Sequence, residues 1–265
     1  YDLFDILLET FFRNEHETPM SEVVSISVLT LKNRINEIKA LSLKGHKNDM
    51  LTEVFVHGSY CISFSGICYM SSVLGGNSGN RGRCSQPCRD RYLSTLEKNN
   101  FPLNLKDNSA YFDLKELYDA GVDYIKIEGR MKRLDYVYTV VNCWKKQIQR
   151  FYDQTPLNKD NSDLYKVFNR DFSNGYLIGD INKEMFIDNP RDNSIKHLSV
   201  INSYSTQKKL EQDKLALYEE KKEITADVKN KIKSLNIDKV PLTVSISGKL
   251  NTPSLCVRVV VASIE

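Results

Sequence analysis

The stretch LTEVFVHG, residues 51–58, predicts the β-strand around which the rest of the sequence is organised. Its β-branched and aromatic residues favour extended backbone, and a glycine ends the run. A second run of this kind, VDYIKIEGR at residues 122–130, ends in charged side chains. Side chains that follow the carboxyl ends of neighbouring parallel strands gather at one edge of the sheet, where chemistry is usually located. The two runs therefore predict a site that contains His57, Glu128 and Arg130.

Helical patterns alternate with these strands. Apolar residues recur at helical spacing from residue 31 to residue 41, and a longer apolar stripe runs over residues 137–151. A further strand is predicted at residues 21–30, and a short helix with Asp113 as a candidate N-cap precedes the second run. Alternating strands and helices indicate an α/β domain with a parallel sheet. The strands are too few for a closed eight-stranded barrel, so either some strands are cryptic or the N-terminal part is missing. We expect a TIM-barrel-like catalytic domain, truncated at its N-terminus, over residues 1–204.

The sequence changes character twice after residue 204. Residues 205–237 are rich in charged helix formers and carry apolar residues at seven-residue intervals, which predicts a connecting helix. Residues 238–265 alternate apolar and polar residues around a Gly/Asn/Pro break, so a β-hairpin that opens a β-rich domain is expected there. The chain begins without a methionine or a basic leader and has no run of about 18 apolar residues. These features predict a cytoplasmic fragment with no membrane span.

Overall composition gives little information about partners. The 265 residues carry a formal net charge of +3, and 41% are hydrophobic, which is enough to bury a core without disulfides. Local composition is more informative about partners, because one short segment contains four arginines, Arg81, Arg83, Arg89 and Arg91. Guanidinium groups bind phosphates and carboxylates well, so this segment predicts an anionic ligand nearby.

Four of the six cysteines lie in the same loop, residues 58–92, at Cys61, Cys68, Cys84 and Cys88. The spacing C-x6-C-x15-C-x3-C contains one tight pair, whereas a structural zinc site usually has two. Four thiolates from one loop also suit a 4Fe-4S cluster, whose ligand spacings are looser. Spacing alone leaves zinc and iron–sulfur equally open, with unligated cysteines as the third alternative.

A Cys–His nucleophile is a second enzymatic interpretation of this region. His57 and Cys61 are four residues apart, but nothing in the sequence identifies a group that would orient the histidine. Neither HExxH nor GxSxG occurs in the chain. The structural alternative is that His57 is a strand-end histidine and that Glu128 pairs with Arg130 at the surface.

Three segments of the chain resemble the peptidase U32 family, also called collagenase-like peptidases. The first joins EVFVHGSYCISFSGICYMSS to NRGRCSQPCRDRY within residues 53–92, the second is LYDAGVDYIKIEGRMK (117–132), and the third is VFNRDFSNGYLIG (167–179). The resemblance covers residues 21–193. The part from LYEEKKEITADV to VPLTVSISGKLN is similar to the additional domain of the longer U32 proteins, a group that contains a ribosomal RNA cytidine hydroxylase.

The resemblance implies an oxygen-independent RNA hydroxylase. Better understood U32 members hydroxylate ribosomal RNA, transfer RNA or ubiquinone precursors with cysteine-bound iron–sulfur clusters, and several depend on prephenate as the expected oxygen donor. Cys61, Cys68 and Cys84 match cysteines of the family motif. Many relatives have a fourth cysteine where this chain has Ser109, which leaves Cys88 as the fourth ligand here, or else an iron with an open position.

Residue chemistry then predicts which groups bind anions. Arg81, Arg83 and Arg89 would hold phosphates of RNA or a dicarboxylate such as prephenate, and Lys126 would assist them. RNA, most directly ribosomal RNA, or a small anionic co-substrate is the expected partner.

The catalytic roles follow from position at the strand ends. Glu128 would accept a proton, Arg130 would clamp a carboxylate, and His57 would donate a proton or support the other groups. Two alternatives stay open. One is a collagenase-like peptidase that uses Cys61 with His57, or a bound metal, and the other is a non-catalytic, metal-stabilised module that binds RNA.

Overall fold

The computed structural model describes residues 23–25, 34–63, 68–77, 79, 83–93, 100–129, 132–202, 206–234, 242–247 and 256–261. Arg81 and Arg130, and most of the predicted strand at residues 21–30, lie outside the described residues. The chain divides into two compact units, Tyr1–Thr225 and Ala226–Glu265. The domain boundaries predicted after residues 204 and 237 stay predictions.

Five strands in the described part of the first unit form a mixed sheet. They are β1 (Val23–Ser25), β2 (Leu51–Gly58), β3 (Asp107–Ser109), β4 (Tyr124–Ile127) and β5 (Phe172–Ser173). β2 pairs parallel with β1 and β4, and its carboxyl end pairs antiparallel with β3, which in turn pairs parallel with β5. The sequence did not predict β3, because this strand has only three residues and none of them is β-branched. The α/β class is confirmed, and closure into a barrel stays a prediction.

The described residues form eight α-helices and two 3-10 turns. The helices are α1 (Ile35–His46), α2 (Met70–Gly75), α3 (Leu114–Asp119), α4 (Leu134–Tyr152), α5 (Ser162–Lys166), α6 (Gly175–Ile178), α7 (Ser194–Asn202) and α8 (Gln207–Ser234), and the 3-10 turns are Pro87–Arg89 and Lys183–Met185. The predicted helices before β2, before β4 and after β4 are confirmed as α1, α3 and α4. The helix predicted after residue 204 is confirmed as α8.

The core of the first unit lies between one face of the sheet and helices α1, α3 and α4. Alternate residues of β2 and β4 point into it and pack against apolar side chains of these helices, among them Val54, Val56, Ile125, Ile38, Leu114, Leu117, Val140 and Trp144. Cys143 is buried on α4, as its place in the apolar stripe predicts. The core fixes the direction in which both strands end, and so positions the residues that follow them.

The described part of the second unit contains a β-hairpin. β6 (Leu242–Ser247) and β7 (Cys256–Val261) pair antiparallel, with Leu242 opposite Val261 and Ser247 opposite Cys256. This confirms the predicted hairpin. None of the described helices is both long enough and apolar enough to cross a membrane.

Candidate active site

The site is built where β2 ends between β3 and β4. His57 pairs with both neighbouring strands, and its buried ring lies against Tyr136 and Phe172. Its Nδ1 is 3.2 Å from the hydroxyl oxygen of Ser109. Burial, with a smaller contribution from the Lys132 charge, lowers the pKa of His57 to about 3. The imidazole is therefore neutral at pH 7 and links the ends of β2 and β3.

Glu128 approaches the backbone of β2 at Gly58. A Cβ atom added at Gly58 would lie 2.5 Å from the Cβ of Glu128, and Gly58 has a φ of +131°. Only glycine combines this backbone conformation with this close approach. The N–H of Glu128 donates to the His57 carbonyl at 2.8 Å, and its Oε2 accepts from the Ser59 N–H at 3.4 Å. Gly58 thus fixes the place of Glu128 at the end of β4.

A cavity of about 510 Å³ opens beside these strand ends. Residues that line it come from the cysteine loop, from the end of β4, from the start of α4 and from the segment before β5, and they include Cys84, Glu128, Lys132, Tyr136, Phe168 and Arg170. Its volume falls within the range of about 300–1,000 Å³ that is usual for small-molecule sites. Cys84 of the cysteine loop and Glu128, the predicted proton acceptor, therefore line the same cavity.

A buried ion pair beside the cavity was not predicted from the sequence. Arg170 Nη1 lies 2.9 Å from Asp107 Oδ1 and 3.0 Å from Ser59 Oγ, and the side chains of Arg170 and Asp107 are only 7% and 5% exposed. The Arg170 Nε also donates to the Pro190 carbonyl at 3.0 Å. No local pattern indicates this pair, because 63 residues separate its members. It ties β3 and the segment before β5 to the end of β2.

Lys132 is a second residue that sequence reasoning missed. Its Nζ lies 3.8 Å from the centre of the Phe168 ring, 5.3 Å from that of Tyr136 and 3.5 Å from Ser59 Oγ. Burial lowers the pKa of Lys132. Its sequence signals are its place two residues after Arg130 and at the end of the family-like segment 117–132, and neither distinguishes it from Lys126 in the same segment.

Lys126, which was predicted to bind an anion, does not line the cavity. Its Nζ lies 2.8 Å from Glu53 Oε1, on the neighbouring strand, and 5.3 Å from the centre of the Phe55 ring. The parallel pairing of β2 with β4 brings these side chains together, since Phe55 is the register partner of Lys126. Arg83, another predicted anion ligand, is exposed next to Cys84.

Arg89 holds the cysteine loop in place. Its guanidinium donates to the carbonyl of Tyr60 at 2.7 Å, to the side-chain oxygen of Asn104 and to the carbonyl of Leu105. Tyr60 directly precedes Cys61, so this one side chain fastens the start of the loop, its end and the segment before β3. Its predicted contact with an anion stays a prediction.

The four loop cysteines are free thiols at different depths. Cys61 and Cys84 are exposed, and Cys68 and Cys88 are half-buried. Burial raises the pKa of the Cys88 thiol, Arg89 opposes this shift, and the other three thiols add to it. All three are thus near enough to act on Cys88 electrostatically. In the described part of the chain, however, no three His, Cys, Asp or Glu side chains are already gathered around a common metal position.

The donor set fits a 4Fe-4S cluster in its chemistry. Four thiols from one loop are the ligands that such clusters use, and hydrogen bonds to the sulfurs are a normal part of these sites. One such bond is present, from the Gln86 N–H to the Cys84 sulfur at 3.3 Å. Ser109, which stands where many relatives have a cysteine, contacts His57 instead. Whether Cys88 or an open iron position completes the set stays as predicted.

Comparison with known proteins identifies the family. The peptidase family U32 profile matches residues 21–186, more than half of the chain. The chain therefore belongs to the peptidase U32 family. No solved structure matches it.

Individual relatives carry two kinds of name. A protein named collagenase from Porphyromonas gingivalis is 38% identical over 146 residues, 51% of this chain and 40% of the relative. The 23S rRNA 5-hydroxycytidine synthase of Escherichia coli is 34% identical over 135 residues, 48% of this chain and 20% of the relative. The tRNA hydroxylation protein P1 of Bacillus subtilis is 32% identical over 161 residues, 54% of this chain and 38% of the relative. The matched region thus spans less than half the length of these three relatives.

Proposed function

We propose that this protein is an RNA base hydroxylase that acts on ribosomal RNA, uses a cysteine-bound 4Fe-4S cluster and does not require molecular oxygen. The observation that carries the proposal is that Cys84 and Glu128 line one cavity. A candidate cluster ligand and a carboxylate that can move a proton then act on the same bound group. Relatives named for hydroxylation of ribosomal and transfer RNA support RNA as the substrate.

The cluster would be held by Cys61, Cys68, Cys84 and Cys88. When bound, it supplies one-electron transfer at the edge of the cavity. Zinc is the alternative metal, and it would only stabilise the loop. The chain's own contribution to the loop is Arg89, which holds Tyr60 and therefore the backbone next to Cys61.

The strand ends would supply the acid–base chemistry. Glu128 accepts a proton from the reacting group, and the Ser59 N–H orients its carboxylate. Arg130 stays the proposed carboxylate clamp, and Arg81 and Arg83 stay the proposed contacts to RNA phosphates or to an oxygen donor such as prephenate. Neutral His57 positions the strand ends through Ser109.

The finer fold prediction belongs to this proposal. A TIM-barrel-like catalytic domain places its active site beyond the carboxyl ends of its strands. Gly58 is the last residue of β2 and Glu128 directly follows β4, so both lie at the carboxyl ends of parallel strands. Cytoplasmic location, which would keep the thiols reduced, is part of the same proposal.

The proposed activity can be tested on the purified chain. Anaerobic purification followed by iron and sulfide analysis should give about four irons per chain. Expression in a host without its own U32 hydroxylases should add one oxygen atom to a ribosomal RNA nucleoside, which mass spectrometry detects. Stoichiometric zinc, or unmodified RNA from a host that expresses the iron-loaded protein, would contradict the proposal.

A peptidase is the second candidate, because two relatives, both from Porphyromonas gingivalis, are named collagenase. The structure gives it limited support, since His57 is buried with its Nδ1 on Ser109 while Cys61 is exposed. Cleavage of a collagen peptide by metal-free protein, and loss of that cleavage in Cys61→Ala, would favour this function. Salt-sensitive RNA binding without any modified nucleoside would instead favour the non-catalytic RNA-binding module.

A further inference from the structure

Lys132 places its ammonium group against two aromatic rings at the cavity. The group lies 3.8 Å from the Phe168 ring centre and 5.3 Å from that of Tyr136, and its contact with Ser59 Oγ is long at 3.5 Å. Phe168 and Tyr136 line the same cavity. The rings stabilise the cation through their negative faces and exclude water from one side of it.

The nearest acids are engaged by other groups. Asp107 is paired with Arg170 at 2.9 Å, and the carboxylate of Glu128 accepts from the Ser59 N–H. Burial lowers the pKa of Lys132 even though Asp107 and Glu128 favour its charged form. Within the described residues, no acidic side chain forms an ion pair with Lys132.

Other cationic side chains at the cavity, unlike Lys132, each lie close to an acidic side chain. Arg133 is paired with Asp135 at 3.1 Å, and Lys221 lies 3.5 Å from Asp192. Arg170 is engaged by Asp107, as described above. A partly desolvated ammonium without a counter-ion is costly, and an anion that enters the cavity removes that cost.

We infer that Lys132, supported by the Phe168 and Tyr136 rings, binds an oxyanion of the molecule that enters the cavity. The group is a carboxylate or a phosphate, and it comes either from a free small acid or from a nucleotide. Lysine suits this role because its ammonium is a compact point charge that can bind either group. The inference rests on the proposed function for the identification of this cavity as the reaction site.

Binding of three probes to the full chain tests this inference directly. Isothermal titration calorimetry at low salt would use inorganic phosphate, succinate and cytidine 5′-monophosphate. The variants are Lys132→Met, Lys132→Arg and the control Lys145→Met, which alters an exposed lysine on α4. Melting curves of all four proteins establish that each is folded.

The wild type should bind at least one probe, and Lys132→Met should weaken that binding by about 10-fold to 100-fold, the usual effect of losing a charge-assisted hydrogen bond. Lys132→Arg should retain part of the affinity, which keeps the test valid if the methionine variant does not fold. Lys145→Met should bind like the wild type.

The preferred probe identifies the source of the oxyanion. Tightest binding of succinate identifies a small acid, and tightest binding of cytidine 5′-monophosphate identifies a nucleotide. Absence of binding to the wild type, or equal binding by folded Lys132→Met, overturns the inference.

Mass spectrometry of ribosomal RNA separates this inference from the proposed function. If anion binding depends on Lys132 but the wild type never modifies RNA, the inference stands and the proposed function fails. If the wild type modifies RNA and Lys132→Met does so equally well, the proposed function stands and the inference fails.

Discussion

The cavity has one wall made of strand ends and another made of the cysteine loop, and different interactions hold the two. Backbone pairing, the approach of Glu128 to Gly58 and the Arg170–Asp107 pair hold the first wall. Among its described residues, the second contains α2 and the 3-10 turn Pro87–Arg89, and the Arg89 side chain fastens it to the segment before β3 and to the backbone just after the end of β2. The comparison indicates that the chain's own backbone pairing and buried contacts organise the strand wall, whereas the proposed cluster would add to the contacts that hold the cysteine wall.

The largest effect on stability is expected in the strand wall, at Arg170. Arg170→Met leaves the Asp107 carboxylate buried without its partner, so the free energy of unfolding should fall by about 3–5 kcal/mol. Urea unfolding monitored by circular dichroism measures this. The double variant Arg170→Met with Asp107→Asn should recover part of the loss, and a loss below about 1 kcal/mol in the single variant would show that the pair does not hold this wall.

The stability cost of an alanine at Gly58 can be compared with the cost at Gly76, because both glycines have a positive φ and they lie in different walls. Gly58→Ala should reduce the free energy of unfolding by about 1–3 kcal/mol, because the new methyl group overlaps Glu128 and must displace it. Gly76, at the end of α2, has a φ of +66° but open space around it, so Gly76→Ala should cost only about 1 kcal/mol of backbone strain. Equal losses in the two variants would mean that the close approach of Glu128 contributes nothing.

Arg89 tests how the cysteine wall is held. Arg89→Met should lower the iron retained after purification and should raise the alkylation rate of the loop cysteines in metal-free protein several-fold, while β2 and β4 stay folded. Arg91→Met is the matched control, since Arg91 is exposed and donates to Asn100. Unchanged iron content and alkylation in Arg89→Met would show that another contact holds the loop.

The smallest effect near neutral pH should come from His57. Its pKa is about 3 in the folded protein and about 6.5 in the unfolded chain, so the unfolded state binds the proton first as the pH falls. Stability from this group is complete well above pH 6.5. It should fall by about 0.7 kcal/mol between pH 7 and pH 6, with further loss down to pH 3. His57→Gln should lose this part of the pH dependence. Identical pH profiles of the two proteins would contradict a buried, neutral His57.

Strand periodicity predicted much of the strand wall. The runs at residues 51–58 and 122–130 became β2 and β4, and the glycine at the end of the first run allows Glu128 to pack there. The partner of Arg170 could not be predicted, because the pair depends on how two distant segments pack. Lys126 illustrates the same limit, since its contact with Glu53 is set by the register between two strands.

For the cysteine wall, the sequence indicated candidate ligands but not the contacts that hold the loop. Spacing and the family resemblance together predicted Cys61, Cys68, Cys84 and Cys88 as a ligand set, and this stays a prediction. The role of Arg89 as a fastening residue depends on carbonyl groups, and carbonyl groups have no sequence signature. The sequence instead predicted that Arg89 binds an anion, because it lies in a short segment with three other arginines.

One comparison of variants tests the central claim that both walls serve one reaction. Iron content and ribosomal RNA nucleosides would be measured for wild type, Cys84→Ser and Glu128→Gln, each purified without oxygen. The account predicts that Cys84→Ser loses both the iron and the oxygenated nucleoside, and that Glu128→Gln retains the iron and loses the nucleoside. Full RNA modification by Glu128→Gln, or by Cys84→Ser, would contradict it.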